Sequence, residues 1–473
     1  LKWIEQFVSV GNDILWTYIL IAALLGLGLY FTFRSNFVQF RMLKEMIRLL
    51  GEGAKASPGK KGVSSFQAFC ISTASRVGTG NLAGVALAIA LGGPGAVFWM
   101  WMIALVGAAS GFVESTLAQI YKERHGDTFR GGPAYYMEKA LGKRWMGLLF
   151  SLLMTLCFGL IFNSVQANTI SLAFHNAFGV DRLFMGLILA VLMAIVIFGG
   201  VKRIARVAQV IVPVMAVIYI LVALFIMVTH FRQIPEVFAL IVQSAFQLEA
   251  AVGGGLGAAL MEGIRRGLFS NEAGMGSAPN AAATADVSHP VKQGLIQTLG
   301  VFTDTLLICS ATAFIILFAG DWNSGLVGIE LTQAALATTI GPWAPSFIAV
   351  VIFLFAFSSL LGNYYYGETN IQFIRANPVW LRLYQAAFFG LLLFGAVQEI
   401  DLVWNMADLF MASMTLVNLI AIALLGKIAF AALQDYIRQK KEGKDPVFTK
   451  NSIPGLKNVE CWDEKPEAEK KAQ

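Results

Sequence analysis

A run of small and polar residues, Ser72-Thr73-Ala74-Ser75-Arg76-Val77-Gly78-Thr79-Gly80-Asn81, interrupts an apolar stretch from about Phe66 to Leu91. Gly78 and Gly80 permit dihedrals that a helix does not, and without side chains they let a ligand reach the backbone. Amides freed at Thr79, Gly80 and Asn81 would head the following half-helix, whose positive dipole end favours an anion such as a carboxylate. Carbonyls freed at Ala74 and Val77 close the preceding half-helix and suit a small cation. Small residues also mediate close helix contact, so a packing motif is the competing reading. The polar Ser, Thr and Asn favour binding.

A second interruption, Gly267-Leu268-Phe269-Ser270-Asn271-Glu272-Ala273-Gly274-Met275-Gly276, lies in a segment from about Gly253 to Ala285. Carbonyls near Gly267–Phe269 could accept from an ammonium group, and Ser270 and Asn271 offer polar contacts. Glu272, an ionisable residue at membrane depth, reads either as a proton or cation carrier or as the partner of an arginine, Arg76 or Arg265. Phe355, Ser358 and Ser359 stand at i, i+3 and i+4 on one helix face. The Phe355 carbonyl and two hydroxyls, with the carbonyls of Ala74 and Val77, make five hard oxygen donors, a set suited to Na⁺. Serine bonding back to its own helix is the alternative. Gln166, near Phe158, Phe162, Asn163 and Asn168, could meet a substrate without adding charge, or bridge helices. Glu114, Asp304, Glu368 and Asp408 are further acids in or near apolar runs.

The elements that must position these residues are membrane helices. Hydrophobic residues make up 57% of the 473-residue chain and charged ones 14%, which excludes an ordinary soluble globule. Apolar runs of about 20 residues fall near 13–33, 66–91, 95–120, 146–175, 183–200, 204–229, 253–285, 291–319, 344–373, 381–397 and 402–434. Their length and composition make them helices rather than barrel strands. Neither a basic leader nor a cleavage site precedes the first run, so that span is expected to be retained. The four cysteines and four histidines show no metal-ligand spacing.

The net charge of +6 does not imply nucleic-acid binding, because the basic residues fall between spans. With eleven alternating spans the basic loops at 34–65, 121–145 and 202–206, with Lys292, Arg375, Arg382 and the Lys-rich tail, share one side. That side is cytoplasmic and the N-terminus is outside. The ten spans after the first divide into fives, each opened by a broken helix. An odd number per set makes the sets inverted repeats around a midplane site. The expected organisation is a transporter domain over 1–435, with an extra helix at 13–33 and repeats at 66–229 and 253–434, then a charged tail at 436–473. Pro235–Glu249 reads as an external amphipathic helix, and the tail from about Lys440 as poorly ordered.

Four motifs carry a family resemblance: Ser75-Arg-Val-Gly-Thr-Gly-Asn-Leu-Ala-Gly-Val-Ala86, Gly92-Gly-Pro-Gly-Ala-x-Phe-Trp-Met-Trp101, Gly131-Gly-Pro-x-Tyr-Tyr136 and Arg266-Gly-x-Phe-Ser-Asn-Glu-Ala-Gly274. They resemble the alanine/glycine:cation symporters of the amino acid–polyamine–organocation superfamily. The resemblance runs from about residue 10 to 435. It implies an all-α, LeuT-like 5+5 inverted-repeat core after one extra helix, in a bacterial or archaeal plasma membrane. The implied activity is sodium- or proton-coupled uptake of alanine or glycine. The resemblance places substrate at Thr79, Gly80, Gln166, Phe269, Ser270 and Asn271, and Na⁺ at Ala74, Val77, Phe355, Ser358 and Ser359. Arg76, between two implied ligand carbonyls, must then point away or pair with an acid. A non-transporting channel or sensor is the remote alternative, and no enzyme constellation is present.

Overall fold

The computed structural model describes residues 2–55, 63–246 and 255–463. Eight of its helices are long and apolar enough to cross a membrane, or nine if one bent pair is a single span. They are α1 (Gln6–Arg34), α6 (Gly95–Ile120), α8 (Arg144–Phe178), α10 (Gly200–Thr229), α14 (Pro290–Ala319), α16 (Ala344–Ile374), α17 (Pro378–Val397) and α18 (Ile400–Lys441). The bent pair is α4 (Ser65–Arg76) and α5 (Gly80–Gly92), which meet at 47°. Shorter elements complete the chain: α2 (Val38–Arg41), α3 (Leu43–Lys55), α7 (Pro133–Lys139), α9 (Arg182–Ile197), α11 (Ile234–Ala245), α12 (Gly255–Asn271), α13 (Ala278–Ala282) and α15 (Gly328–Ile340). A small antiparallel hairpin, β1 (Glu123–His125) and β2 (Thr128–Arg130), pairs Glu123 with Arg130 after α6. Among the described residues this hairpin and one Val63–Ala285 bridge are the β structure of an otherwise all-α integral membrane protein.

Lipid-facing and protein-facing surfaces follow the helical period. On α10, Val210, Val214, Val217, Leu221, Leu224 and Val228 are exposed in one stripe, while Ala208, Val212, Met215, Tyr219 and Ile226 are buried. An apolar stripe of that length is stable only against hydrocarbon. At the centre, α6 packs against α12 and α14, and α8 against α16 and α17. Helix α1 packs outside this core on α6 and α18; Gly28 lets it approach closely, since a Cβ there would meet Val106 Cγ1 at 2.6 Å.

Local chemistry starts and stops the helices of the site. Ser64 caps α4 in a reciprocal box with Gln67. Val77 leaves helical geometry at φ −81°, ψ 88°, ending α4. After α12, Glu272 (φ 58°), Gly274 (φ 83°) and Gly276 (φ 87°) take left-handed conformations. A non-glycine residue there is strained and persists only where its surroundings hold it. Three π-helical turns adjoin the same region, at Gly80–Gly84, Thr155–Ile161 and Thr303–Cys309; such turns widen a helix and are frequent at functional sites.

Two peripheral readings meet the structure differently. The external helix forms as α11, burying Val237, Ile241 and Ala245, but its expected continuation to Glu249 lies outside the described residues. So do Gly253, Lys60 and Lys61. The tail expected to be poorly ordered packs instead over its described part, up to residue 463. Phe448 and Trp462 are buried, the Phe448 amide donates to Ser288 O (2.8 Å), and Trp462 Nε1 donates to Gln119 O (3.0 Å). Its abundant charges conceal a few aromatic anchors. Helix α18 also runs past residue 435 to Lys441. The 320–343 loop contains α15, which reaches the first break through Thr332 Oγ1 donating to Leu82 O (3.0 Å).

Candidate functional site

Where α4 ends, its carbonyls meet the middle of α16. Ser359 Oγ lies 2.8 Å from Ala74 O, 3.2 Å from Phe355 O and 3.5 Å from Val77 O. Ser358 Oγ lies 2.8 Å from Phe355 O and 3.5 Å from Ala74 O. The five oxygens expected from sequence thus share one small volume, fully buried, with no formal charge. Back-bonding to Phe355 and proximity to α4 occur together. Each hydroxyl has one proton and two lone pairs, so both can turn oxygen toward a cation. Gly78 makes the approach possible, because a Cβ there would stand 2.1 Å from Ser359 Oγ.

The next residues of the first break turn toward α8. Thr79 donates through its amide (3.0 Å) and its hydroxyl (2.7 Å) to Gln166 Oε1. That carbonyl oxygen makes the two bonds that one oxygen of a substrate carboxylate could make. Asn81 is engaged within the protein, its Oδ1 accepting from the Gly78 amide (2.9 Å) and its Nδ2 donating to Asp304 Oδ1 (2.7 Å). Gly80 touches the second break, since a Cβ there would meet Phe269 Cδ1 at 3.0 Å and Ser270 Cα at 3.3 Å.

In the second break Phe269 stacks on Phe162 (4.5 Å between centroids) and lies 4.7 Å from the Trp404 ring. Ser270 Oγ donates to Asp304 Oδ2 (2.7 Å). Asn271 Oδ1 accepts from the Ala273 amide (3.0 Å), and its Nδ2 has no partner among the described residues. Asp304 therefore accepts from both breaks, through Asn81 and Ser270, on the π turn of α14. Glu114 of α6 pins the second break, taking the amides of Gly274 and Gly276 (both 3.0 Å) and Asn418 Nδ2 (2.8 Å). Sequence marked both only as acids in or near apolar runs. Which amides and hydroxyls they receive follows only from packing.

Among the described residues no arginine lies within ion-pair distance of Glu272. Its Oε1 accepts from Ser75 Oγ (2.7 Å) and its Oε2 from Ser277 Oγ (2.5 Å), which hold its left-handed backbone. Arg76 turns away from the five oxygens and donates from Nη1 to Gln297 O (3.1 Å), leaving Nε and Nη2 without partners among the described residues. Gly300 makes room for it, since a Cβ there would stand 2.3 Å from Nη1. Arg265 binds Glu262 (3.1 Å) and Asp408 (3.6 Å) instead. With Arg266, which also pairs with Asp408, these residues form a balanced buried cluster. Arg266 lies 4.9 Å over the Trp404 ring, so this cluster roofs the Phe162–Phe269–Trp404 stack. Trp404 escaped the sequence reading, for an aromatic in an apolar run carries no distinguishing signal. Asn163 and Asn168 are structural, bonding to carbonyls of their own helix and of Gly395 and Gln398.

The model of the Sodium:alanine symporter family matches residues 1–450. A Bacillus subtilis protein named "Probable sodium/glutamine symporter GlnT" is 60% identical, the alignment covering 97% of this chain and 96% of the relative. "Sodium/proton-dependent alanine carrier protein" of Bacillus sp. (strain PS3) is 40% identical over 88% of this chain and 97% of its own. "Sodium/alanine symporter AgcS" of Methanococcus maripaludis is 36% identical over 93% and 99%. Whole-chain agreement of this kind, with broken helices and buried oxygens in place, makes this a membrane transporter and not an enzyme. The chain belongs to the sodium:alanine symporter family.

Proposed function

We propose that the protein is a sodium-coupled symporter that imports small neutral amino acids, alanine or glycine, by alternating access. One observation carries the reading. A single break presents a five-oxygen cluster on one side of Gly78 and the Thr79 donors on the other. Na⁺ held by Ala74, Val77, Phe355, Ser358 and Ser359 would order the break and so present the Thr79 and Gly80 amides to a carboxylate. Gln166 would give up Thr79 to the substrate and contact it. Phe269, Ser270 and Asn271 would meet its side chain and ammonium group, with Asn81 bracing the turn. Binding of either ligand then favours the other by the same factor.

To the eight long helices and the bent α4–α5 pair we add the shorter apolar α9 and the broken α12–α13 segment, which would make eleven spans. That count supports a LeuT-like 5+5 inverted repeat behind the extra helix α1, with the N-terminus outside and the C-terminus cytoplasmic. The test is uptake of labelled alanine into proteoliposomes under a Na⁺ gradient alone, competed in turn by glycine, serine and glutamine. Accumulation abolished when Na⁺ is replaced by K⁺ is the expected result; binding without accumulation would indicate a sensor, and conductance a channel.

The observation behind proton coupling in the same fold is Glu272, a buried carboxyl with no cation within ion-pair distance among the described residues. The single Ser75 hydroxyl proton faces two acceptors, Glu272 Oε1 and Asn363 Oδ1, each at 2.7 Å. A protonated Glu272 donating to Ser75 would balance the bonds. Turning the Asn363 amide over does so equally well, leaving Glu272 ionised. Uptake driven by a pH gradient alone, and lost in Glu272→Gln, would identify the proton route.

A further inference from the structure

Away from the substrate pocket, α1 and α18 enclose a cleft of about 520 Å³ beneath the turn that ends α1. Arg34, Arg41, Arg438 and Lys441 line it, with Phe430 and Leu433 as its apolar wall and Glu442 as its single carboxylate. Glu442 is taken by Lys444 (2.7 Å), and Arg438 pairs with Asp435. Among the described residues Arg34, Arg41 and Lys441 have no carboxylate within ion-pair distance. Three unneutralised cations therefore face one cleft.

The cleft is built rather than incidental. Asn36 (φ 59°) and Phe37 (φ 57°) adopt consecutive left-handed conformations, which reverse the chain and bring Arg41 back toward α1. Arg41 Nη2 donates to Ser35 O (3.3 Å), while the Arg34 guanidinium carbon lies 5.8 Å from the Phe430 ring. These contacts orient two guanidinium groups on the same side. In the same stretch of chain Phe33, Phe37, Phe40, Leu43 and Ile47 are 64%, 43%, 47%, 41% and 59% exposed. Phe40, Leu43 and Ile47 share one face across α2 and α3, so this amphipathic segment lies at the membrane surface. The cations therefore sit at headgroup depth, with hydrocarbon alongside.

We propose that this cleft binds the phosphate headgroup of an anionic phospholipid, its acyl chains lying along the exposed aromatic flank of α1 and α2. A guanidinium pair matches phosphate oxygens in geometry and charge. Lipid is favoured over a soluble phosphate because the 33–47 segment that supplies Arg34 and Arg41 also exposes five apolar side chains, which a free anion would leave in water.

Native mass spectrometry of the detergent-purified full chain, given phosphatidylglycerol or phosphatidylcholine, tests this directly. The wild type should retain phosphatidylglycerol preferentially. Retention should fall about fivefold per cation removed, the scale of one basic residue at an anionic surface, across the series to Arg34→Gln/Arg41→Gln/Lys441→Gln. All three residues are exposed, so the fold should survive. Phosphatidylglycerol should raise the melting temperature of the wild type but not of the triple variant. Arg203→Gln/Arg206→Gln, which removes exposed cations from outside the cleft, should keep full retention. Equal retention by the triple variant, equal loss in the Arg203/Arg206 control, or displacement of the lipid by millimolar inorganic phosphate would each overturn the proposal.

Discussion

Replacing Ser359 by Ala removes one oxygen from the cluster at the end of α4 and little else. Its Oγ is the atom nearest Ala74 O, at 2.8 Å, and lies within 3.5 Å of both Phe355 O and Val77 O. Without it Ala74 O retains only Ser358 Oγ, at 3.5 Å. An interaction with a charged partner contributes about 1.5–3 kcal/mol, which corresponds to roughly 10- to 150-fold in binding. The Na⁺ concentration giving half-maximal alanine uptake should rise by that factor, while uptake at saturating Na⁺ stays near the wild-type level. Proteoliposomes with an inward Na⁺ gradient, titrated at constant ionic strength, provide the assay. Ser358→Ala should move the curve in the same direction. Lys202→Gln, far from the cluster, should leave it in place. A Ser359→Ala curve superimposable on the wild type would refute the cation assignment, whatever happened to maximal uptake.

Gly78→Ala should abolish uptake and weaken both ligands, since its Cβ would stand 2.1 Å from Ser359 Oγ and 3.0 Å from Gln166 Oε1; Gly26→Ala, with nothing within 4 Å, serves as the control for a glycine substitution. Gln166→Ala should raise the KM for alanine several-fold with a smaller change in Na⁺ activation, measured in the same vesicles, because it strips the partner from Thr79 and not from Ala74. Asp408→Ala leaves Arg266 buried with one fewer partner and should cost about 3–5 kcal/mol, read as a lower melting temperature; the double variant Arg266→Met/Asp408→Leu should recover much of that loss. On α3, outside the spans, the hydrogen bond from Arg48 holds the Glu45 carboxyl at about 2, against its ordinary 4.5. The Glu45 contacts with Tyr436 (2.5 Å) and Lys440 (3.3 Å) therefore stabilise the α3–α18 clasp fully above pH 4.5 and are lost as pH falls through about 2. A spin-label distance between α3 and the end of α18 should lengthen over that window, and Glu45→Gln should flatten the response.

Sequence alone determined the class of molecule, the two breaks and the chemistry each could present. These are local properties: an apolar run longer than about 20 residues must be helical in lipid, and glycines with polar neighbours must interrupt it. Phe355, Ser358 and Ser359 were likewise legible, because i, i+3 and i+4 define one helix face. The capping box at Ser64 and Gln67 belongs to the same local order. Tertiary structure alone decided the partners. Arg76 and Glu272 looked suited to each other, yet the space beside Gly300 draws the guanidinium to Gln297 O, and Ser75 and Ser277 hold the carboxylate. Asp304 and Glu114 read as undifferentiated acids until α14 and α6 met the breaks. Trp404 and the aromatic anchors of the tail were silent for the same reason. Periodicity reports which face of a helix is buried, whereas the partner of a buried polar atom depends on where a second helix crosses it. In this protein those crossings bring the carbonyls of α4 to the hydroxyls of α16.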